Sequence, residues 1–342
     1  MRIAEIAPVW VPVPPPSYGG IEWIVSLLAD GLAERGHEVT LFAAQGSDST
    51  AHVVSPVDGT HDLSEMGKDI TDEVVHALPA YLNAGDFDII HDHTGLGTAL
   101  GAARNGAPPP VVHTLHGPWT DATRRFFAAV SPPVHLIAIS EAQAAGNSDV
   151  NYAGVVHNGL DLDAHPWKKE KDEFLLFLGR CNPEKGPELA VEVAKRAGLP
   201  LVMAMKRSET HEIAHWEKEV EPRLRGDEQL VLDASHEEKV DLLGRARATL
   251  FPIQWPEPFG LVMIESMACG TPVIAMPSGA APEIVLDGKT GFLTPDLDAM
   301  VEAVGKAGDI SPEACREHVA EKFSAEAMVD KTEKVFENIL AG

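Results

Sequence analysis

The sequence predicts an α/β chain of two Rossmann-like domains in tandem, with parallel sheets facing an interdomain cleft. Short apolar runs alternate with amphipathic helical segments along the whole chain, as parallel sheets covered by helices require. The alternation breaks once, at the charged stretch DAHPWKKEKDE (163–173), and then restarts. The length, 342 residues with 44% hydrophobic content, is enough for two separate cores.

The elements follow in order. Residues 2–9 read as a strand. IEWIVSLLADGLAERG (21–36) has apolar residues at helical spacing and stops at Gly36. HEVTLFAA, DIIHDH (88–93), PVVHTLH (110–116), HLIAIS (135–140) and AGVVHN (153–158) are further short β-runs. After the break come FLLFLG, a helix from Gly186, then PLVMAM, QLVLD, ATLFPI and PVIAM, with helical segments between. This is roughly six strands on each side of residue 165. The expected division is a first domain over 1–165, a second over 166–322, and a last helix over 323–342 that crosses back to the first. Ligands of such sheets sit beyond the C-terminal strand ends.

The net charge is −25, with −14 before residue 166 and −11 after it. Nucleic acid and anionic membranes would be repelled by both halves, so neither is expected as a partner. An acidic chain that binds an anion must do so with a few placed cations. Cys181, Cys269 and Cys315 have no paired spacing and read as reduced thiols without zinc. No apolar run approaches the roughly 20 residues of a membrane span, and the N-terminus lacks a leader's cleavage site. A cytoplasmic location is expected.

Three stretches imitate other sites. Gly95, Gly97 and Gly101 follow a strand, but the next strand ends in VVHTLH without the acid of a dinucleotide site. They read as a small-residue helix packed close to the sheet. In HDH, His91 and His93 share a strand face that excludes Asp92, so three consecutive metal ligands are not expected. Ser140 lacks a GxSxG context and reads as a helix N-cap.

PEPFGLVMIE (256–265) sets Glu257 and Glu265 at the ends of an apolar run. Pro258 reads as the start of a helix. The N–H groups near Phe259, Gly260 and Leu261 would form an anion site, with Gly260 allowing close approach. Eight helical residues rise about 12 Å, too far for a glycosidase-type acid/base pair. The glutamates instead suit the two ends of an elongated ligand: a sugar, a diphosphate and a ribose. GRCNPEKG (179–186) puts Arg180 and Lys185 either side of a turn, as a diphosphate clamp would need.

With these pieces in place, the chain resembles the family-four glycosyltransferases, retaining enzymes of the two-Rossmann-domain GT-B fold. SYGGIEWIVSLLADGLAERGHEVTLFA, FDIIHDH, VVHTLHG, ISEAQ, VVHNGLD, FLGRCNPEKG, PEPFGLVMIESMACGTPVIA and GAAPEIVLDGKTGFL occur in the family's order over essentially the whole length. The resemblance implies that Glu257 touches the donor sugar and Glu265 the ribose. It implies that Arg180 and Lys185 hold the diphosphate, that Gly19 and Gly20 approach the phosphate from the first domain, and that His116 lines the sugar site. Two loops depart from the family. VMAMKRSE and VLDASHEE lack the usual glycines, which leaves UDP or GDP open as the nucleotide and offers Lys206 as a further contact.

The expected function is transfer of a hexose-type sugar from a nucleoside diphosphate to a hydroxyl-bearing acceptor, with retention and with no metal or other cofactor. The acceptor is expected to be a soluble small molecule or oligosaccharide, as in an antibiotic pathway of the avilamycin kind. The alternatives are a nucleotide-sugar epimerase of the same fold, which would consume donor without acceptor, and a non-catalytic sugar-binding module.

Overall fold

A computed structural model describes residues 1–16, 19–57 and 71–342. They form two compact units, Met1–Gly159 with Ala325–Gly342, and Leu160–Ser324.

The first unit contains β1 (Arg2–Ile6), β2 (Glu38–Phe42), β3 (His52–Val54), β4 (Ile89–Asp92), β5 (Val111–Leu115), β6 (Val134–Ala138) and β7 (Tyr152–Val155). They make one sheet in the order β3-β2-β1-β4-β5-β6-β7, with every pair parallel. The order reverses between β1 and β4, and that switch point is where such sheets open a crevice. Buried strand residues such as Ile3, Ile6, Ile89, Ile90, Leu136 and Ile137 fill the core, which explains the continuous apolar runs. The helix Gly20–Glu34 packs on the last helix, Ala325–Leu340. Gly31 meets Val329 so closely that a Cβ would lie 2.7 Å from it. Arg35 and His37 both bond Glu333, at 2.9 and 2.8 Å.

The glycine-rich decoy is a packing device. A Cβ on Gly101 would lie 2.8 Å from Val111 of β5, so the helix Thr98–Ala103 can approach only with glycine there. Ser140 caps its helix by accepting from the Gln143 amide.

The second unit contains β8 (Leu175–Arg180), β9 (Leu201–Lys206), β10 (Gln229–Leu232), β11 (Ala248–Phe251), β12 (Val273–Ala275) and β13 (Gly291–Leu293). Their order is β10-β9-β8-β11-β12-β13, again parallel, with the switch between β8 and β11. Residues 163–173, the charged stretch at which the strand–helix alternation breaks, pack within this unit. Lys171 Nζ bonds the Gly244 carbonyl, the Cys269 carbonyl and Thr271 Oγ1 at 2.8, 3.1 and 2.8 Å. Arg316 holds the carbonyls of Leu162 and His165. A charged sequence looks solvent-borne until its cations find carbonyls at helix ends. All three cysteines are buried as free thiols. No described helix is long and apolar enough to cross a membrane.

Candidate functional site

In the second unit, the chain segments that leave β8 and β11 on either side of the switch point bring charged groups together. β8 ends at Arg180 and leads into a 3₁₀ turn, Pro183–Lys185, closed by Gly186 with φ +67°. A Cβ on Gly186 would lie 2.4 Å from the Pro252 carbonyl, so the turn abuts the chain leaving β11. That chain brings up Trp255 and Glu257. Lys185 Nζ lies 2.5 Å from Glu257 Oε2 and 5.0 Å from the centre of the Trp255 ring. Trp255 Nε1 donates to the same oxygen at 2.9 Å. Glu257 is thus buried but tethered by one oxygen, and Oε1 has no partner among the described residues.

Glu265 repeats the device with a different lysine. Its Oε1 accepts from Lys239 Nζ at 2.6 Å, and Oε2 has no partner among the described residues. Burial pushes the Glu265 carboxyl up, but the Lys239 ammonium and the His165 ring outweigh it and hold the group below its usual range. Both glutamates are therefore anchored carboxylates with one oxygen to offer a hydroxyl.

Between them the helix starts later than the proline suggested. It runs Leu261–Ala268 behind Gly260, which is left-handed at φ +88°. Pro258 lies outside it. The helical rise of about 12 Å expected between the glutamates does not apply, since Glu257 precedes the helix. Phe259 is buried against Phe323. Gly260 and Leu261 stand at the helix start, where the dipole's positive end lies and no side chain caps the first turn, and the Met263 N–H donates to the Gly260 carbonyl at 3.0 Å.

Arg180 and Lys185 bond different carboxylates. Arg180 Nε bonds Glu212 Oε1 at 2.8 Å and its terminal nitrogen bonds Glu209 Oε1 at 2.5 Å. Lys206, its register partner on β9, reaches Glu209 at 3.9 Å. The cationic pair expected from one turn is divided between two carboxylate clusters. Lys239, Trp255, Glu209 and Glu212 went unread in the sequence. Only Trp255, which adjoins the PEPFG motif, carried a signal.

Gly19, Gly20 and His116 lie in the first unit. Gly19 precedes the helix Gly20–Glu34 and packs tightly, with a Cβ there falling 2.6 Å from Pro15 and 2.9 Å from Glu22 Oε2. Ser17 and Tyr18 of the same loop lie outside the described residues. Burial pushes the Glu22 carboxyl up to about 7. Folded protein thus holds a proton there that the unfolded chain releases above about 4.5. Stability from this group falls as pH rises from about 4.5 to about 7, then levels off. Glu22→Gln is expected to stabilise the protein at pH 8 by up to about 3 kcal/mol, with no gain at pH 4.5. Melts at the two pH values check it. His116, partly buried after β5, bonds His93. As the strand geometry implied, His91 and His93 lie together while Asp92 turns away to Tyr81 and Thr94.

Two parallel doubly wound sheets, with anchored carboxylates and a helix mouth at a switch point, define the class of GT-B glycosyltransferases. Residues 18–164 match the model of the glycosyltransferase family 4 and residues 162–317 that of the glycosyl transferases group 1. The chain belongs to the family-four glycosyltransferases. It is 27% identical to the D-inositol 3-phosphate glycosyltransferase of Mycolicibacterium smegmatis, over 91% of this chain and 84% of that one. It is 28% identical to the phosphatidyl-myo-inositol mannosyltransferase of Mycobacterium tuberculosis, over 93% and 89%. Among solved structures it resembles AviGT4, a glycosyltransferase involved in avilamycin A biosynthesis, with TM-score 0.72 and 25% identity over 100% and 98% of the two chains. Sucrose-phosphate synthase of Thermosynechococcus elongatus shares the fold at TM-score 0.83 and 21% identity, over 100% and 99%.

Proposed function

We propose that this enzyme moves a hexose-type sugar from a nucleoside diphosphate to an acceptor hydroxyl, with retention and without a metal. The observation that carries the reading is the matched pair of tethered glutamates around one helix mouth. Glu257 Oε1 would accept from sugar hydroxyls and Glu265 Oε2 from ribose hydroxyls. The first-turn amides and Lys185 would face the diphosphate between them. Arg180 and Lys206 would join as the diphosphate displaced Glu209, their exposed shared partner. In the first unit, Gly19 and Gly20 would approach a phosphate and His116 a sugar hydroxyl. The bond from the sugar to the diphosphate breaks, the bond to the acceptor oxygen forms on the same face, and the acceptor proton passes to the departing phosphate.

The inositol-directed relatives support a polyol-like acceptor. Only 6 Lys and Arg stand against 20 Asp and Glu before residue 166, so an uncharged acceptor suits this chain better than a phosphorylated one. A role in antibiotic tailoring has the likeness to AviGT4 as its support.

The test supplies UDP- and GDP-hexoses with polyol and oligosaccharide acceptors in EDTA, and reads the new anomeric signal by proton NMR. The expected product keeps the donor's anomeric configuration at full rate. Inversion, or loss of activity restored by Mn²⁺ or Mg²⁺, would contradict the reading. Conversion of donor without acceptor would point to an epimerase.

A further inference from the structure

The first unit carries a buried polar chain at its own switch point. Glu5 of β1 is directly opposite His91 of β4, and His93 follows on the same face. Glu5 and His91 are wholly buried and His93 nearly so. Glu5 Oε1 lies 2.5 Å from His93 Nε2, and Glu5 Oε2 lies 3.1 Å from His91 Nδ1. His91 Nε2 meets Thr114 Oγ1 at 2.8 Å. His93 Nδ1 meets His116 Nε2 at 2.7 Å. His116 Nδ1 has no partner among the described residues.

The protons on this chain can be placed by counting donors. Burial pushes the Glu5 carboxyl up, yet the His91 and His93 rings more than offset it and hold the group at about 2. It is therefore an acceptor only, and His93 Nε2 must donate to it. Burial, and the His91 ring beside it, hold His93 at about 4, so it has one proton and its Nδ1 accepts. Burial and the neighbouring rings of His93, His113 and His91 also push His116 well below its usual value. Its single proton is then on Nε2, donated to His93.

We propose that Glu5 and His93 are positioning residues that fix the tautomer and ring orientation of His116, presenting its Nδ1 as an unprotonated acceptor for a substrate hydroxyl. The catalytic consequence rests on the transferase reading above; the proton placement does not. A divalent cation held by Glu5, His91 and His93, whose ligating atoms all lie within 4.8 Å of one another, is the competing assignment. Tetrahedral zinc spaces its ligand atoms about 3.3 Å apart, whereas Glu5 and His93 approach to hydrogen-bond distance. A metal would also reverse the chain, placing the His93 proton on Nδ1 and forcing His116 to accept at Nε2.

Ring-nitrogen NMR of the ¹⁵N-histidine-labelled protein at pH 7.5 distinguishes them. The expected result is Nε2–H on both His93 and His116 and Nδ1–H on His91, with no stoichiometric metal in the purified protein. An Nδ1–H form of His116, a doubly protonated His93 or His116, or one equivalent of zinc would overturn the proposal. Glu5→Leu should lower kcat about tenfold or more with nucleoside diphosphate affinity unchanged. Glu5→Gln, whose amide oxygen can accept both N–H groups, should recover most of that loss. Equal activity per folded molecule in wild type and Glu5→Leu would overturn the positioning role. Where Glu5→Leu does not fold, the wild-type spectrum alone decides. Absence of turnover with every donor would count against the transferase reading, while the tautomer of His116 would still be decided by the NMR spectrum.

Discussion

Glu257→Gln is expected to lower kcat by about two to three orders of magnitude while the protein stays folded. The amide keeps the shape of the carboxylate and can still accept from Trp255 Nε1 and Lys185 Nζ, so the tether survives in weaker form. What is lost is negative charge between Lys185 and the sugar. Oε1 is the oxygen left open, and as part of a carboxylate it accepts strongly from hydroxyls that grow more acidic as the sugar becomes cationic. An interaction that strengthens only in the transition state appears in kcat. Lys185 contributes to the contrast as well. Beside a neutral amide in place of a full carboxylate at 2.5 Å, its ammonium is held less firmly over Trp255. A variant with normal kcat would mean that Glu257 is a structural partner of Lys185 and nothing more.

Gly279→Ala should destabilise the second unit by about 2–4 kcal/mol, through backbone strain and overpacking together. Gly279 has φ +59°, and a Cβ there would lie 2.2 Å from the Glu257 carbonyl oxygen and 2.3 Å from its nitrogen. Neither atom belongs to a flexible side chain that could swing away. The flanking bonds hold the two segments together, Ala280 N–H to the Glu257 carbonyl at 2.9 Å and Ser278 Oγ to the Trp255 carbonyl at 2.7 Å. Gly36 is the control, since it also has positive φ, +85°, but nothing lies within 4 Å of its missing Cβ. Gly36→Ala should cost only about 1 kcal/mol. Urea melts of the two variants separate close approach from φ alone, and equal losses would remove the clash from the explanation. Because Gly279 bears directly on the Glu257 peptide, the folded fraction of Gly279→Ala should also turn over slowly.

The parallel sheets were legible because buried strands write themselves as continuous apolar runs. The strands that left no such signal, His52–Val54 and Gly291–Leu293, are three-residue edge strands too short to show a period. The helix start was misplaced by a local conflict. Pro258 suits a first turn, but Gly260 in the left-handed region sets the cap two residues later. The glutamates, the 179–186 turn and His116 were legible as motifs. Their partners were not. Lys239 meets Glu265 across 26 residues and Glu5 meets His91 across 86. Such pairs are created by strand order, which no spacing along one chain encodes. Arg180 shows the same limit, since its register neighbour Lys206 and its carboxylates come from the next strand and helix.

The central claim is that Glu257 serves the sugar end and Glu265 the ribose end of one nucleotide-sugar. Calorimetric titration of nucleoside diphosphate, UDP and GDP each, into wild type, Glu257→Gln and Glu265→Gln tests it most directly. The diphosphate product has the ribose but not the sugar, so affinity for the better nucleotide should hold within about twofold in Glu257→Gln and fall about tenfold or more in Glu265→Gln. Equal losses in the two variants, or a larger loss in Glu257→Gln, would contradict the assignment.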